Sequence, residues 1–192
     1  GSFDAAPRSL YDNGIFRTGN LFVPNTRYTY LELFLDPFLE KQYNEGHKIF
    51  ATHEFVKAIG DALEDEENKE SSYIYWAAKN GIPVFCPGLV DGAIGDIISF
   101  FRYNHKDFYI DTAKDAEVIN NMTLQFDKTG IISLGAGLPK HFALNANILR
   151  EGADYAVYLN TAQEFDGCDS GADTNEAQTW YKIKLDALAV KV

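Results

Sequence analysis

Two cysteines, Cys86 and Cys168, are all that 192 residues contain, and neither belongs to a CxxC or CxxH pair. Their scarcity excludes a disulfide framework and a cysteine zinc site, and it fits a reducing, cytoplasmic compartment. The four histidines are scattered, and no metal-ligand spacing, P-loop or Ser-His-Asp order stands out, so no metal is expected. No apolar run reaches the length of a membrane span, and the start carries no signal-peptide pattern; Gly1-Ser2 reads as a cloning remnant. Internal repeats and low-complexity segments are absent. Basic residues are outnumbered 17 to 28, for a net charge of −11. Phosphate binding needs a basic surface, so no nucleic acid is expected as partner, and cationic ligands or basic protein surfaces are favoured. Much of the acidic excess sits in Asp61–Glu70, which reads as a solvated loop.

What is present is apolar and aromatic: 46% hydrophobic residues and 14% aromatics support one domain with a sizeable core over 1–192. Residues 1–25 are mixed, with Gly14, Gly19 and Pro24 interrupting any long element. Leu31, Phe34, Leu35, Phe38 and Leu39 fall at helical spacing between Tyr28 and Tyr43, where Pro37 predicts a kink or a break into two helices. Thr52 is placed to cap a helix to about Leu63, and Ser71 one ending near Asn80-Gly81. Then the pattern alternates. Ile82–Cys86 reads as a strand, followed by the loop Gly88–Asp96 and a helix from Ile97. Asp107–Ile110, Thr129–Leu134, Tyr155–Leu159 and Ile183–Val190 read as further strands, with helices over Ala113–Phe126 and Pro139–Arg150. Continuous apolar strands alternating with helices predict an α/β fold: a Rossmann-like, doubly wound, mostly parallel sheet with helices on both faces. Ligands of such sheets sit beyond the carboxyl ends of strands, so chemistry is expected in the loops after Phe85, Leu134 and Leu159.

Gly135-Ala136-Gly137 is half of a dinucleotide fingerprint, in which glycine lets the backbone approach a pyrophosphate. Position 140 is lysine, however, and an ordinary tight turn accounts for the glycines equally well. The loop Gly88–Asp96 is either a ligand loop or a turn with Asp96 as a helix cap. The densest chemistry lies in Thr161–Ala172 and Glu176–Lys182, where carboxylates precede a tryptophan and a lysine follows it two places on. Carboxylates attract ammonium groups, an indole face binds cations or alkyl chains, and a desolvated lysine becomes a nucleophile. The stretch reads as a polyamine site with an amine nucleophile at one end. Taken singly, each residue has a plainer reading: Trp180 as core packing, His141 as a surface or capping residue, Lys182 as a solvated side chain.

From about Leu10 to Val192 the chain resembles deoxyhypusine synthase. The likeness is carried, in order, by Arg17–Asn25, Ile82–Asp96, Lys140-His141 with Asn145-Ala146-Asn147, Gly152–Tyr158, Thr161–Ala172 and Glu176–Lys182. The resemblance implies an NAD-dependent transferase of hypusine biosynthesis. Such an enzyme oxidises spermidine to an imine and passes its 4-aminobutyl group to an enzyme lysine, with loss of 1,3-diaminopropane. The group then goes to one lysine of the translation initiation factor 5A precursor. On this likeness Lys182 is the covalent lysine and His141 a second catalytic residue, while Asp96, Asn145, Asp169, Glu176 and Trp180 surround spermidine. Asp91, Ala136, Thr161, Ala162, Asp166 and Ser170 are expected near NAD. A homo-oligomer is implied, a tetramer with sites lined from two subunits.

Departures from the family are small in size: Cys86, Cys168 and Ala93 stand where serine is common, and Ala136 where glycine is frequent. The family extends further at both ends, so this chain is expected to be incomplete and to work with a complementary segment. Two alternatives stay open. One is a non-catalytic or regulatory member acting with another chain; the other is homospermidine synthase, which hands the same group to putrescine.

Overall fold

The computed structural model describes residues 7–192, so Gly1-Ser2 lies outside the described residues. Helix α1 (Pro7–Asp12) precedes a hairpin of β1 (Ile15–Thr18) and β2 (Leu21–Pro24), joined by Gly19-Asn20 with Gly19 at φ +60°. Positive φ at the first turn residue matches the twist of the flanking strands. Helix α2 (Thr26–Asn44) runs through Pro37 as one element, not the two that Pro37 allowed for. The proline is exposed, while Leu35, Phe38 and Leu39 beside it are buried and hold the helix through the missing hydrogen bond.

Next come β3 (Ile49–Phe50), α3 (Thr52–Ala62), α4 (Tyr73–Lys79), α5 (Ala93–Phe101), β4 (Tyr109–Ile110) and α6 (Thr112–Leu124). The cap of α3 is Ala51 and not Thr52, and that of α4 is Ser72 and not Ser71. Thr52 is occupied elsewhere: its backbone N–H and hydroxyl both donate to the buried carboxylate of Asp115 on α6. Asp96 lies inside the first turn of α5, whose cap is Gly92. The remaining elements are β5 (Gly130–Leu134), α7 (Leu138–Asn145), β6 (Ala153–Leu159), α8 (Thr174–Thr179) and β7 (Ile183–Lys191).

The described residues are α/β, with three small sheets: the antiparallel hairpin, a parallel β3-β4 pair, and a parallel sheet in the order β5-β6-β7. Ile82–Cys86, expected as a strand, pairs with none. Pro83 and Pro87 have no N–H for a ladder, and the N–H of Cys86 donates instead to Thr52 Oγ1 at 3.1 Å.

Two compact units are present. One comprises the chain through Lys48 with Val90–Phe108; in it α2 packs on α5, and Leu35, Leu39, Ile97, Ile98 and Phe108 are buried. The other comprises Ile49–Leu89 with Tyr109–Val192 and contains the three-stranded sheet. Its crossovers β5–α7–β6 and β6–α8–β7 advance in one direction across the sheet, so right-handed connections bring both helices to the same face. That face buries Ala156 and Tyr158 against Leu144 of α7 and Ala177 of α8. The other face shows Ile132, Leu134, Tyr155, Leu188 and Val190 to solvent, with Ile132 75% exposed. Helices therefore cover one face of this sheet, where helices on both were expected.

Candidate active site

The carboxyl ends of β5 and β6 lie side by side, in register from Gly130↔Tyr155 to Leu134↔Leu159, and their loops emerge together. After β5 the chain turns through Gly135 (φ +96°) and Gly137 (φ +87°), and beyond the adjoining residues no atom lies within 4 Å of where a Cβ would stand at either. Leu138-Pro139 then opens α7, with proline where the first turn has no N–H partner to lose. Lys140 and His141 are thereby set in the first turn of α7, at the strand's carboxyl end.

The loop after β6 closes on itself before α8 begins. Asn160 donates to the Ala172 carbonyl at 3.3 Å, and Asp173 caps α8 through the N–H of Thr174. Ser170 (φ +63°) and Gly171 (φ +80°) reverse the chain between these anchors. Beyond α8 a third left-handed residue, Tyr181 (φ +57°), turns the backbone so that Lys182 N–H donates to the Ala177 carbonyl at 3.0 Å. A positive φ just past a helix is a common way of ending one. Lys182 enters β7 with its carbonyl accepting from Ala153.

These turns bury Lys182, which is 5% exposed. Its Nζ donates to Ser170 Oγ at 2.7 Å, and the same oxygen lies 2.8 Å from His141 Nδ1. The Trp180 ring stands 5.8 Å from the ammonium. Burial holds the Lys182 amine below the usual lysine range; Glu176 and Asp169 pull it back up, and Lys140 adds to the lowering. Desolvation disfavours the charged form, so this lysine reaches its nucleophilic state more readily than a solvated one. The plain reading of Lys182 as solvated is overturned, and so is Trp180 as core, since its side chain is 61% exposed.

Two residues that lie in the motifs carrying the resemblance, but were given no role there, complete the cluster. Lys140 is also 5% exposed; its Nζ donates to the Gly171 carbonyl, lies 3.2 Å from Cys168 Sγ, and sits 5.0 Å from the Tyr158 ring centre. The Tyr158 hydroxyl is buried without a hydrogen-bond partner, and its phenol is pushed well above the ordinary range, first by burial and then by Cys168, Asp173 and Glu176. A lysine-histidine pair at a helix start looks solvent-facing in sequence. Besides that motif, the available signal is the glycine-rich turn ahead of it, which sends α7 back over the sheet.

The other expected site residues are distributed as follows. Asp169 and Glu176 are exposed on the loop and on α8. Asn145 ends α7, half-buried. Ala136 is exposed between its two glycines, and Thr161 is exposed after β6. Ala162 donates to Asn160 Oδ1 at 3.1 Å and accepts from Lys191. Asp166 accepts from Gln163 N–H at 2.7 Å, closing a single 3-10 turn. Ser170 is on Lys182 and His141. Asp91 and Asp96 belong to the other unit, where Asp96 lines a concavity with Ser99, Arg102 and Lys106. Among the described residues no group of His, Cys, Asp or Glu is arranged to hold a metal, and no helix is long and apolar enough to cross a membrane.

Comparison with known proteins brings a family to this geometry. The family model described as "Deoxyhypusine synthase" matches residues 1–192. The chain is 44% identical to deoxyhypusine synthase of Senecio vernalis, with all of this chain and 52% of the relative covered. It is 43% identical to that of Arabidopsis thaliana (all of the chain, 52% of the relative) and 42% identical to that of Saccharomyces cerevisiae (all of the chain, 54% of the relative). The chain spans about half the length of these curated relatives.

Proposed function

The chain belongs to the deoxyhypusine synthase family, and on that footing we propose that it takes part in NAD-dependent transfer of the 4-aminobutyl group of spermidine, through an imine on Lys182, to a lysine of the translation initiation factor 5A precursor. The observation that carries the reading is Lys182: buried, its amine lowered by burial, and docked on a hydroxyl shared with an imidazole. An imine forms only from a neutral amine, so the proton on Lys182 Nζ must leave first. Ser170 Oγ, hydrogen-bonded on both sides, offers it a route to His141 Nδ1.

Asp169 and Glu176 are exposed carboxylates close enough to act on the Lys182 charge, and they suit the ammonium ends of a polyamine. The exposed Trp180 ring offers its face to the methylene chain between them. Asn145, Asp91 and Asp96 are assigned to the pocket by the resemblance alone.

For the cofactor, the turn at Gly135-Ala136-Gly137 has open space where side chains would be, and exposed Thr161 with Ala162 follows the neighbouring strand. The pyrophosphate of a dinucleotide fits against backbone of that kind. When bound, NAD supplies the hydride acceptor and donor; the protein's part is to bind, orient and desolvate. The same reading makes the protein a cytoplasmic homotetramer, with both cysteines free.

The test is chemical trapping. With spermidine, NAD and borohydride, the Lys182 peptide should gain one aminobutyl group by mass spectrometry. The gain should vanish in Lys182→Arg, whose guanidinium stays protonated. An adduct on another lysine would sink the assignment.

A further inference from the structure

Lys140 is a second buried ammonium that the transfer chemistry leaves without a task. It cannot be a passive surface lysine, because it is 5% exposed and its Nζ is satisfied by the Gly171 carbonyl, the Cys168 sulfur and the Tyr158 ring face. It acts on the same loop as Lys182. Lys140 holds positions 168 and 171, and between them Ser170 receives Lys182 at 2.7 Å. Both lysines are thus docked within four consecutive residues, three of which, Cys168, Ser170 and Gly171, make the contacts. We infer that Lys140 is a positioning residue for Lys182: a fixed buried cation that clamps the Cys168–Gly171 loop and disfavours a second positive charge beside it.

The inference rests on Lys182 being the amine that reacts. Two like charges in a partly desolvated pocket repel, and the one with the weaker anchorage gives up its proton. Lys140 is held by a carbonyl and an aromatic face; Lys182 has one neutral hydroxyl at close range and the more distant Trp180 ring. The other groups acting on Lys182 come from three elements: Glu176 of α8 and Asp169 of the loop, which favour its charge, and His141 of α7, reached through Ser170. Lys140 works in the same direction as burial and against the two carboxylates. It need not touch substrate.

The experiment is a pH titration of lysine side-chain carbons by NMR on the full chain, with Lys182 assigned from Lys182→Arg. Neither spermidine nor NAD is present, so the outcome is separate from borohydride trapping, which tests the transfer reading by itself. In Lys140→Met the Lys182 midpoint should move up by about half a pH unit, or roughly threefold less free amine on the acid side of the midpoint. Lys140→Arg, which keeps the charge, should leave it near the wild-type value. Lys140→Gln retains a donor for the Gly171 carbonyl without the charge and should behave as Lys140→Met does. An unmoved midpoint in folded Lys140→Met or Lys140→Gln overturns the inference. Should both neutral variants fail to fold, Lys140→Arg decides: the charge is kept, so a Lys182 midpoint that moves well away from the wild-type value overturns the proposal.

Discussion

Lys182 donates its 2.7 Å hydrogen bond to Ser170, a residue held at φ +63°. The Lys182 amine therefore leans on a backbone conformation that costs a side chain roughly 1–2 kcal/mol. Strain of this kind persists only where the surroundings impose it, and it often accompanies a site. Two substitutions separate the hydroxyl from the strain. Ser170→Ala and Ser170→Gly both remove the oxygen and should both reduce borohydride trapping at Lys182 severalfold. Glycine releases the left-handed penalty, so Ser170→Gly should be more stable than Ser170→Ala by about 1 kcal/mol in urea denaturation. Wild-type trapping in both would show that the hydroxyl is irrelevant.

Burial of Lys182 has a pH signature. Its folded amine titrates below the unfolded one, so the folded state binds fewer protons in between, and stability rises with pH across that interval. The penalty is fully present below the folded value and is gone above the unfolded value of about 10.4. Lys182→Met should therefore be more stable than wild type at pH 7, with the gain shrinking steadily toward pH 10. Denaturation midpoints at several pH values test this, and a gain that grows with pH would contradict it.

Asp154 shows the opposite sign. Its carboxylate accepts from Lys184 at 2.6 Å, Thr129 N–H at 2.9 Å and Arg150 at 3.1 Å, and Lys184 first of all holds it far below the carboxylate range. A lowered carboxyl gives stability that is present above its unfolded value of about 3.9 and lost as pH falls through the folded one. Asp154→Asn should destabilise the protein at pH 7, and the difference from wild type should narrow below about pH 4. A pH-independent difference would mean that the charge does not matter.

Asp169→Asn and Glu176→Gln should each weaken spermidine binding far more than NAD binding, by about 1.5–3 kcal/mol for one charge-assisted hydrogen bond. Both carboxylates also favour charge on Lys182, so either change should lower its amine further. Calorimetry with each ligand distinguishes a lost contact from a fold defect, which would weaken both alike.

Much of this was legible in the sequence where it is local. The apolar runs at Ile131-Ile132 and Tyr155–Leu159 became β5 and β6, and the glycines after Leu134 became the turn into α7. The stretch before Lys182 supplies Ser170, which accepts its hydrogen bond. What failed to show was set by partners far along the chain. Thr52 was expected to cap α3, but Asp115, 63 residues on, takes its hydroxyl. Lys140 is buried by acceptors 28 and 31 residues away, a distance over which no periodicity speaks. The hairpin differs: Gly19-Asn20 is a two-residue turn that local sequence does specify, joining strands of only four residues each.

Gly171 ties the cluster into one piece. A Cβ there would lie 2.6 Å from the Cβ of Glu176, its φ of +80° excludes most side chains, and its carbonyl is the acceptor for Lys140. Any residue larger than glycine would push α8 and its carboxylate outward and, in the same motion, loosen the anchor of the buried ammonium. The pocket therefore offers few neutral paths of sequence drift. A change that improves the fit to one charge must pass through this position and disturb another, so the two buried lysines can drift only together.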